Sequence, residues 1–169
     1  TRKFSNDLHL IKSIKKVLRR GDVLGMYPEA RYSPCGITSY IPESLGKLIK
    51  SCKVPVVVVI HRGNHLYTPF WNFRKKRKVP FHTTLTQVLT KEQVETMSVE
   101  EINEVLKQAF VYDDYKYQKD NGILITEKYR AEKMHKILYK CPCCKEERKM
   151  GSKGTLVFCE ACGKKWNLN

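Results

Sequence analysis

With 169 residues, of which 41% are hydrophobic and 29% are charged, the chain can form one domain, or one domain and a small module. Its longest apolar run, residues 54–60, is far shorter than a membrane-spanning helix. The net charge of +15 favours anionic partners, namely phosphates, an anionic membrane surface or nucleic acid, although the same charge also serves solubility alone.

Two amphipathic helices are predicted in the first third of the chain. Residues 6–20 carry apolar side chains on one face and lysines and arginines on the rest, and Gly21 is a natural C-terminal cap. Residues 43–52 form a shorter helix whose apolar side chains are Leu45, Leu48 and Ile49.

Two apolar segments, residues 23–27 and 54–60, are predicted as strands, and the second would be buried on both faces of a parallel sheet. With the helix between them they indicate a βαβ unit. Pro28 forces the chain out of the sheet, so Glu29 and Arg31 fall in a loop where α/β sheets bind ligands. Arginine suits phosphate because its planar fork donates two parallel hydrogen bonds. The alternative is a solvated loop in which Glu29 and Arg31 pair with each other or with water.

The second half of the chain contains another strand and another helix. Residues 81–89 alternate in polarity as a strand does, and Ser98 and Glu101 form a capping box that opens the helix. A polar, tyrosine-rich segment follows at 113–121, and a connector extends over 123–139.

Five consecutive cations, Arg74 to Lys78, follow an aromatic segment that contains Tyr67, Phe70, Trp71 and Phe73. Rings and cations together suit an anionic membrane surface, where rings lie at headgroup depth. They also suit nucleic acid, where rings stack on bases. The third interpretation is a solvated hairpin whose aromatic rings cover the sheet.

Seven cysteines, four of them in two CxxC pairs, indicate metal binding by thiolates in a reducing compartment. The pairs are separated by fourteen residues, and this layout is typical of a zinc ribbon. The predicted ligands of a structural zinc ion are Cys141, Cys144, Cys159 and Cys162, which leaves Cys143 spare. A four-sulfur iron site and a disulfide framework are the alternatives. Trp166 is expected to pack over the site.

Two further observations bear on the cysteines and on the charge of the ribbon. Cys35 and Cys52 stand alone and are predicted to be small buried side chains. The ribbon from Tyr139 has seven Lys/Arg and three Asp/Glu, a charge of +4 that falls to +2 when four thiolates and one Zn²⁺ are included. This small charge makes nucleic acid a less favoured partner.

Three segments, taken in order, resemble the glycerolipid acyltransferase superfamily, which includes lysophosphatidic acid and glycerol-phosphate acyltransferases. They are Tyr-Pro-Glu-Ala-Arg-Tyr-Ser at 27–33, Gly46 in the next helix, and Val-Pro-Val-Val-Val-Val at 54–59. The family pattern reads Phe-Pro-Glu-Gly-Thr-Arg-Ser and, later, Val-Pro-Val-Val-Pro-Val. The Pro, Glu and Ser match, whereas the arginine comes one position early, as Arg31, and the resemblance extends over residues 1–118.

The resemblance implies an enzyme that moves an acyl group from a thioester donor, acyl-CoA or acyl carrier protein, to a lysophospholipid-type or glycerol-phosphate-type hydroxyl. It further implies that Glu29 organises the site loop, Arg31 binds the acceptor phosphate, Ser33 adds a hydroxyl contact and Gly46 allows close packing. The family's catalytic His-x-x-x-x-Asp is absent, since none of the five histidines has an aspartate five positions later. We therefore expect the chain to be the C-terminal part of a longer enzyme and to be inactive alone.

The predicted fold class is α/β, with three regions along the chain. Residues 1–118 form part of an acyltransferase-like mixed sheet flanked by helices, 119–138 form a connector, and 139–169 form the four-cysteine zinc ribbon. The expected location is the cytoplasm, with peripheral contact to the inner face of the membrane through Arg74 to Lys78. Two other functions are a nucleic-acid-binding module, which the +15 charge supports, and a non-catalytic domain whose ribbon recruits a protein partner.

Overall fold

The computed structural model describes residues 8–168, which form a mixed α/β fold of short helices and two small sheets. The helices are α1 (Leu8–Arg19), α2 (Ser44–Cys52), α3 (Asn64–Tyr67), α4 (Lys91–Thr96), α5 (Val99–Ala109) and α6 (Asp114–Asp120). The strands are β1 (Val56–Arg62), β2 (His82–Leu89), β3 (Met150–Lys153), β4 (Leu156–Cys159) and β5 (Lys165–Asn167). Short 3₁₀ turns lie at Phe70–Asn72 and Met134–Lys136. Within this part of the chain, no helix has the length and apolar character needed to cross a bilayer.

The contacts divide the chain into two compact units. The first unit contains the described residues up to Tyr32 together with Thr38–Ile60 and Thr84–Val111. The second contains Ser33–Ile37, His61–Thr83 and the chain from Tyr112 onward. Each unit is therefore assembled from segments that are distant in sequence, and the ribbon shares its unit with the aromatic and cationic segment.

The core of the first unit is apolar and is built mainly from α2, β2, α4 and α5. Its buried side chains are Leu45, Leu89, Val94, Ile102 and Leu106. Helices α4 and α5 both begin with a complete capping box, formed by Thr90 with Gln93 and by Ser98 with Glu101. Each box satisfies backbone N–H groups that have no partner within the first turn of a helix. The capping box predicted at Ser98 is thus confirmed.

Strands β1 and β2 form a two-stranded sheet, and the side chains of β1 alternate between core and surface. In β1, Val58 and Ile60 are buried, whereas Val57 is 53% exposed and Val59 is 43% exposed. The burial on both faces that is expected of this strand in a parallel sheet is therefore not observed, because the core covers only alternate side chains. Leu85 of β2 is also exposed, so apolar side chains of both strands lie uncovered.

The strand predicted at residues 23–27 is not formed. Val23 is 93% exposed and Tyr27 is 90% exposed, and the segment has no regular secondary structure. A strand needs a neighbour to pair its backbone N–H and C=O groups, and no described residue pairs with this segment in a sheet. The predicted βαβ unit is consequently absent from the described chain.

Other predicted elements agree with the structure, apart from one cysteine. The helix predicted at 6–20 corresponds to α1, which is described from Leu8 onward because residues 6 and 7 lie outside the described chain. The helix predicted at 43–52 is α2, and the strand predicted at 81–89 is β2. Cys35 is exposed in a segment without regular structure, so its predicted burial is wrong, whereas Cys52 is half-buried.

The second unit contains the ribbon sheet, in which β4 pairs antiparallel with both β3 and β5. The segment at 113–121, predicted only as polar, forms helix α6, with Asp113 as its N-cap. The connector consists mostly of turns, and its Ala131 is buried in the ribbon core with Met150 and Val157. Through Ala131, the connector therefore contributes to the hydrophobic core of the ribbon.

Candidate functional site

Two tight turns of the same design carry the four predicted metal ligands. In the first turn the Cys141 N–H donates to the Glu146 carbonyl at 2.9 Å, and in the second the Cys159 N–H donates to the Lys164 carbonyl at 2.9 Å. Lys145 and Gly163 each follow the first cysteine of their pair by four residues, with φ of +67° and +70°. This left-handed conformation, easy for glycine, lets each turn close back on its first cysteine.

The four sulfurs form a compact group. The Sγ atoms of Cys141, Cys144, Cys159 and Cys162 all lie within 4.8 Å of one another, with Cys141–Cys162 at 3.8 Å and Cys144–Cys159 at 3.7 Å. A tetrahedral ion with bonds of about 2.3 Å to sulfur places its ligands roughly 3.8 Å apart. A disulfide holds its sulfurs at about 2.05 Å, so these pairs are not disulfides. The cluster can therefore hold a tetrahedral metal ion.

The electrostatics of the thiols also favour a cation. Burial raises the pKa of the Cys141 thiol, but the N–H groups of Cys144 and Cys143 and the nearby thiols outweigh burial, and the pKa falls to about 6. At Cys144 the Glu146 N–H lowers the pKa, but burial and the other three cysteines raise it to about 12. The two shifts show that one thiol ionises readily while its neighbour resists, and a metal ion would relieve that conflict.

The surroundings of the cluster agree with a closed structural site. Cys141 and Cys159 are buried in the ribbon core, and Trp166 packs against that core, as expected from the sequence. Cys143 is exposed, and its N–H lies 3.4 Å from the Cys141 Sγ. Its contribution to the cluster is thus a backbone hydrogen bond, while its thiol lies outside the group of four.

In the loop predicted to bind phosphate, Glu29 and Arg31 both interact with Ser39. Arg31 Nε donates to the Ser39 hydroxyl at 2.8 Å, and the guanidinium is exposed. Burial raises the pKa of Glu29, although the Ser39 backbone and the charge of Arg31 partly oppose that rise. Ser39 therefore holds the acid and the base on the same loop, and this contact was not evident in the sequence because the three residues are up to ten positions apart.

Ser33 and Gly46 have other surroundings. The Ser33 hydroxyl donates to the Ile37 carbonyl at 2.8 Å and accepts from the Ile37 N–H at 3.1 Å, so it closes a local turn. Gly46 is buried on α2, and its N–H donates to Asn103 Oδ1 at 3.0 Å. A side chain at position 46 would collide with Asn103, so the glycine allows close packing of α2 against α5. Glu29, Arg31 and Gly46 belong to the first unit, whereas Ser33 belongs to the second.

The five-cation run has a different environment at almost every residue. Lys75 forms an ion pair with Glu132 at 2.7 Å, and Lys76 lies 5.8 Å from the Tyr67 ring centroid. Arg77 is only 5% exposed and donates to the carbonyls of Leu66 and Arg130. The run is therefore partly structural, because it attaches this segment to the connector that precedes the ribbon.

Two buried polar residues of the second unit were missed by the sequence analysis. The Asp114 carboxylate, 1% exposed, accepts the N–H groups of Gly63 and His65, each at 2.8 Å. His65 packs edge-on against Trp71 and Tyr115, and burial lowers its pKa although Asp114 opposes the shift. Glycine at the N-cap of α3 has no side chain for capping, so Asp114 takes that role from fifty residues away. No local pattern could have indicated this long-range contact.

Comparison of the chain with protein-family models, with curated proteins and with solved structures gave no significant match. The class of site is therefore defined by geometry alone: a four-cysteine cluster that can hold a metal ion, in a mixed α/β chain.

Proposed function

We propose that the chain is the acceptor-binding part of an acyltransferase that moves an acyl group from a thioester donor to a phosphate-bearing lipid acceptor. The donor is acyl-CoA or acyl carrier protein, and the acceptor is a lysophospholipid or a glycerol phosphate. Arg31 binds the acceptor phosphate, Glu29 fixes the loop, and Gly46 allows the close packing of α2 against α5. The 169 residues contain no His-x-x-x-x-Asp, the motif that supplies the general base in the family that the sequence resembles.

The observation that carries this proposal is the state of Arg31. Its Nε is held by Ser39, while its remaining N–H groups meet no protein acceptor among the described residues. The guanidinium is therefore oriented, exposed and available to form a bidentate pair with phosphate.

The test is the acceptor kinetics of the full-length gene product. Arg31→Ala should lower kcat/KM for the acceptor at least tenfold, because hydrogen bonds to charged groups contribute about 1.5–3 kcal/mol each. Arg31→Lys should restore only part of the loss, since an ammonium cannot reproduce the fork.

The matched control for this test is Arg19→Ala. Arg19 is an exposed arginine in the last turn of α1, and its loss removes the same charge elsewhere in the first unit. An equal loss of kcat/KM in both variants would show that only general charge matters. Normal acceptor kinetics in Arg31→Ala would refute the assignment of this residue.

We further propose that the four-cysteine cluster binds zinc as a structural ion, forming a zinc ribbon. Four sulfurs within 4.8 Å of one another can fill all four positions of a tetrahedral ion and leave none open for a substrate, which separates structural sites from catalytic ones. A ribbon of this size buries too little apolar surface to fold without additional stabilisation, and the ion supplies it.

A further inference from the structure

A surface cavity of about 280 Å³ lies in the second unit, between the 3₁₀ turns at Phe70–Asn72 and Met134–Lys136. We call it the Trp71 cavity. It is lined by Trp71, Asn72, Phe73, Arg74, Lys133 and Lys136. Half of these residues are cations and none is acidic, so the cavity has an electropositive wall.

The three cations of the cavity are not neutralised by the protein. Within the described chain, the side chains of Arg74, Lys133 and Lys136 form no ion pair and no hydrogen bond. The acid nearest in sequence, Glu132, is engaged by Lys75 Nζ at 2.7 Å. Arg74 is thus the member of the five-cation run that lines the cavity, whereas Lys76 lies over the Tyr67 ring and Arg77 donates to the Arg130 carbonyl.

Two buried polar atoms belong to residues of the same wall. Trp71 Nε1 and Asn72 Oδ1 have no hydrogen-bond partner among the described residues, although Trp71 is 5% exposed and Asn72 is 4% exposed. Buried polar groups in native proteins are normally satisfied by protein, water or ligand. Both atoms have almost no accessible surface, so an anion in the cavity would meet the three cations and not these two atoms.

The walls of the cavity are held by contacts that do not involve a ligand. The Arg77 guanidinium lies 5.5 Å from the Trp71 ring centroid and the His65 ring lies 5.3 Å from it, which fixes the indole. On the other side, the Lys136 N–H donates to the Lys133 carbonyl at 3.0 Å. A ligand would therefore enter a preformed site.

We propose that the Trp71 cavity binds a phosphate group. A phosphate monoester carries about two negative charges and accepts hydrogen bonds on three oxygens, which matches one arginine fork and two ammonium groups. The volume is slightly below the range of about 300–1,000 Å³ typical of pockets that enclose whole small molecules, so the cavity admits a headgroup. The proposal concerns residues separate from Arg31 and does not depend on acyl transfer.

The first experiment measures phosphate binding to the whole chain by calorimetry and by Trp71 fluorescence. Because the chain has two tryptophans, the fluorescence is measured in a Trp166→Phe background. The probes are inorganic phosphate and glycerol 3-phosphate, with acetate as the weakly bound comparison. Arg74→Gln/Lys136→Gln, at two exposed positions, should weaken phosphate binding at least tenfold. Lys12→Gln/Lys16→Gln, which removes the same charge from exposed positions of α1, should change it less than twofold.

A second experiment distinguishes the sources of the phosphate. Vesicles of phosphatidylcholine containing phosphatidic acid are sedimented with each variant, beside pure phosphatidylcholine vesicles. If only Arg74→Gln/Lys136→Gln loses sedimentation with the vesicles, the ligand is a lipid headgroup. If the chain binds glycerol 3-phosphate but does not bind vesicles, the ligand is a free phosphate compound. Equal weakening in both double variants, or absence of phosphate binding to the unaltered chain, would overturn the proposal. Trp71 lines the cavity, so its fluorescence reports binding there and separates the cavity from the acceptor loop.

Discussion

At the scale of single residues, Asp114 shows how one buried carboxylate fixes a backbone segment. Its two oxygens accept from Gly63 and His65, and Asp113 beside it caps α6. The neighbouring aspartates thus serve different helices. Each of its two oxygens accepts one N–H group, whereas an amide in the same position would place an NH₂ donor opposite one of them.

Asp114→Asn should lower the free energy of unfolding by about 1–3 kcal/mol. The amide offers one acceptor and one donor, so one of the two buried N–H groups would face another N–H. Urea unfolding measures this loss, and the slope of the unfolding free energy against urea concentration should be the same for the variant and the unaltered chain.

The control for Asp114 is Asp120→Asn, the same substitution at an exposed ion pair with Lys116. Exposed pairs at this spacing contribute about 0.3–0.5 kcal/mol, so its effect should be small. If the two variants were equally stable, the Asp114 contacts would contribute nothing beyond a surface charge.

At the scale of elements, the ribbon and its connector depend on each other. The Ala131 N–H donates to the Gly154 carbonyl at 2.9 Å, and His135 Nδ1 lies 2.8 Å from the Ser152 hydroxyl. The connector also contacts the cationic segment, through Tyr129, whose hydroxyl donates to the Lys76 carbonyl. Metal binding in the ribbon is therefore expected to stabilise the turn that carries Lys133 and Lys136.

The purified chain should contain about one zinc ion, and Cys144→Ser should remove most of it. The reason is that a hydroxyl is a poor substitute for a thiolate in a four-sulfur site. Elemental analysis gives the metal content, and thermal unfolding should show a lower Tm for the variant.

Cys143→Ser is the matched control for the metal centre, because Cys143 is adjacent in sequence but its thiol is outside the cluster. It should retain full zinc content. A Cys144→Ser protein with an undiminished zinc content would contradict the ligand assignment, and so would a fully folded ribbon without metal.

Elements with strong local signals were predictable from the sequence, and those that depend on distant partners were not. Ser98 and Glu101 define a helix start by themselves, and the CxxC spacing of Cys141 and Cys144 defines a turn. The segment 23–27 has strand-like residues, but strand formation requires a pairing partner. The Trp71 cavity depends on segments about sixty residues apart, so only the structure brings its cations together.

At the scale of the whole molecule, the proposed activity requires more than this chain contains. The proposal assigns a structural role to the four-cysteine cluster and phosphate binding to the Arg31 loop, and none of the five histidines has an aspartate five positions later, as the family motif requires. Binding and chemistry are thus separable in an experiment.

The 169-residue chain alone should not transfer acyl groups. Loss of a general base typically lowers the rate by about 10²- to 10⁴-fold, and an incomplete site should lose more. Release of free thiol from acyl-CoA in the presence of lysophosphatidic acid measures the rate, with heat-denatured protein as the background. Turnover above that background would show that a catalytic group in this chain was overlooked.

The order in which the chain visits its two compact units limits how it can be dissected. It passes from one to the other after residues 32, 37, 60, 83 and 111. A recombination breakpoint inside this region divides both units, so neither can be exchanged between genes as one continuous cassette. Segments made as separate polypeptides would have to reassemble by complementation, and a nascent chain cannot complete its first unit on the ribosome until residue 111 has emerged.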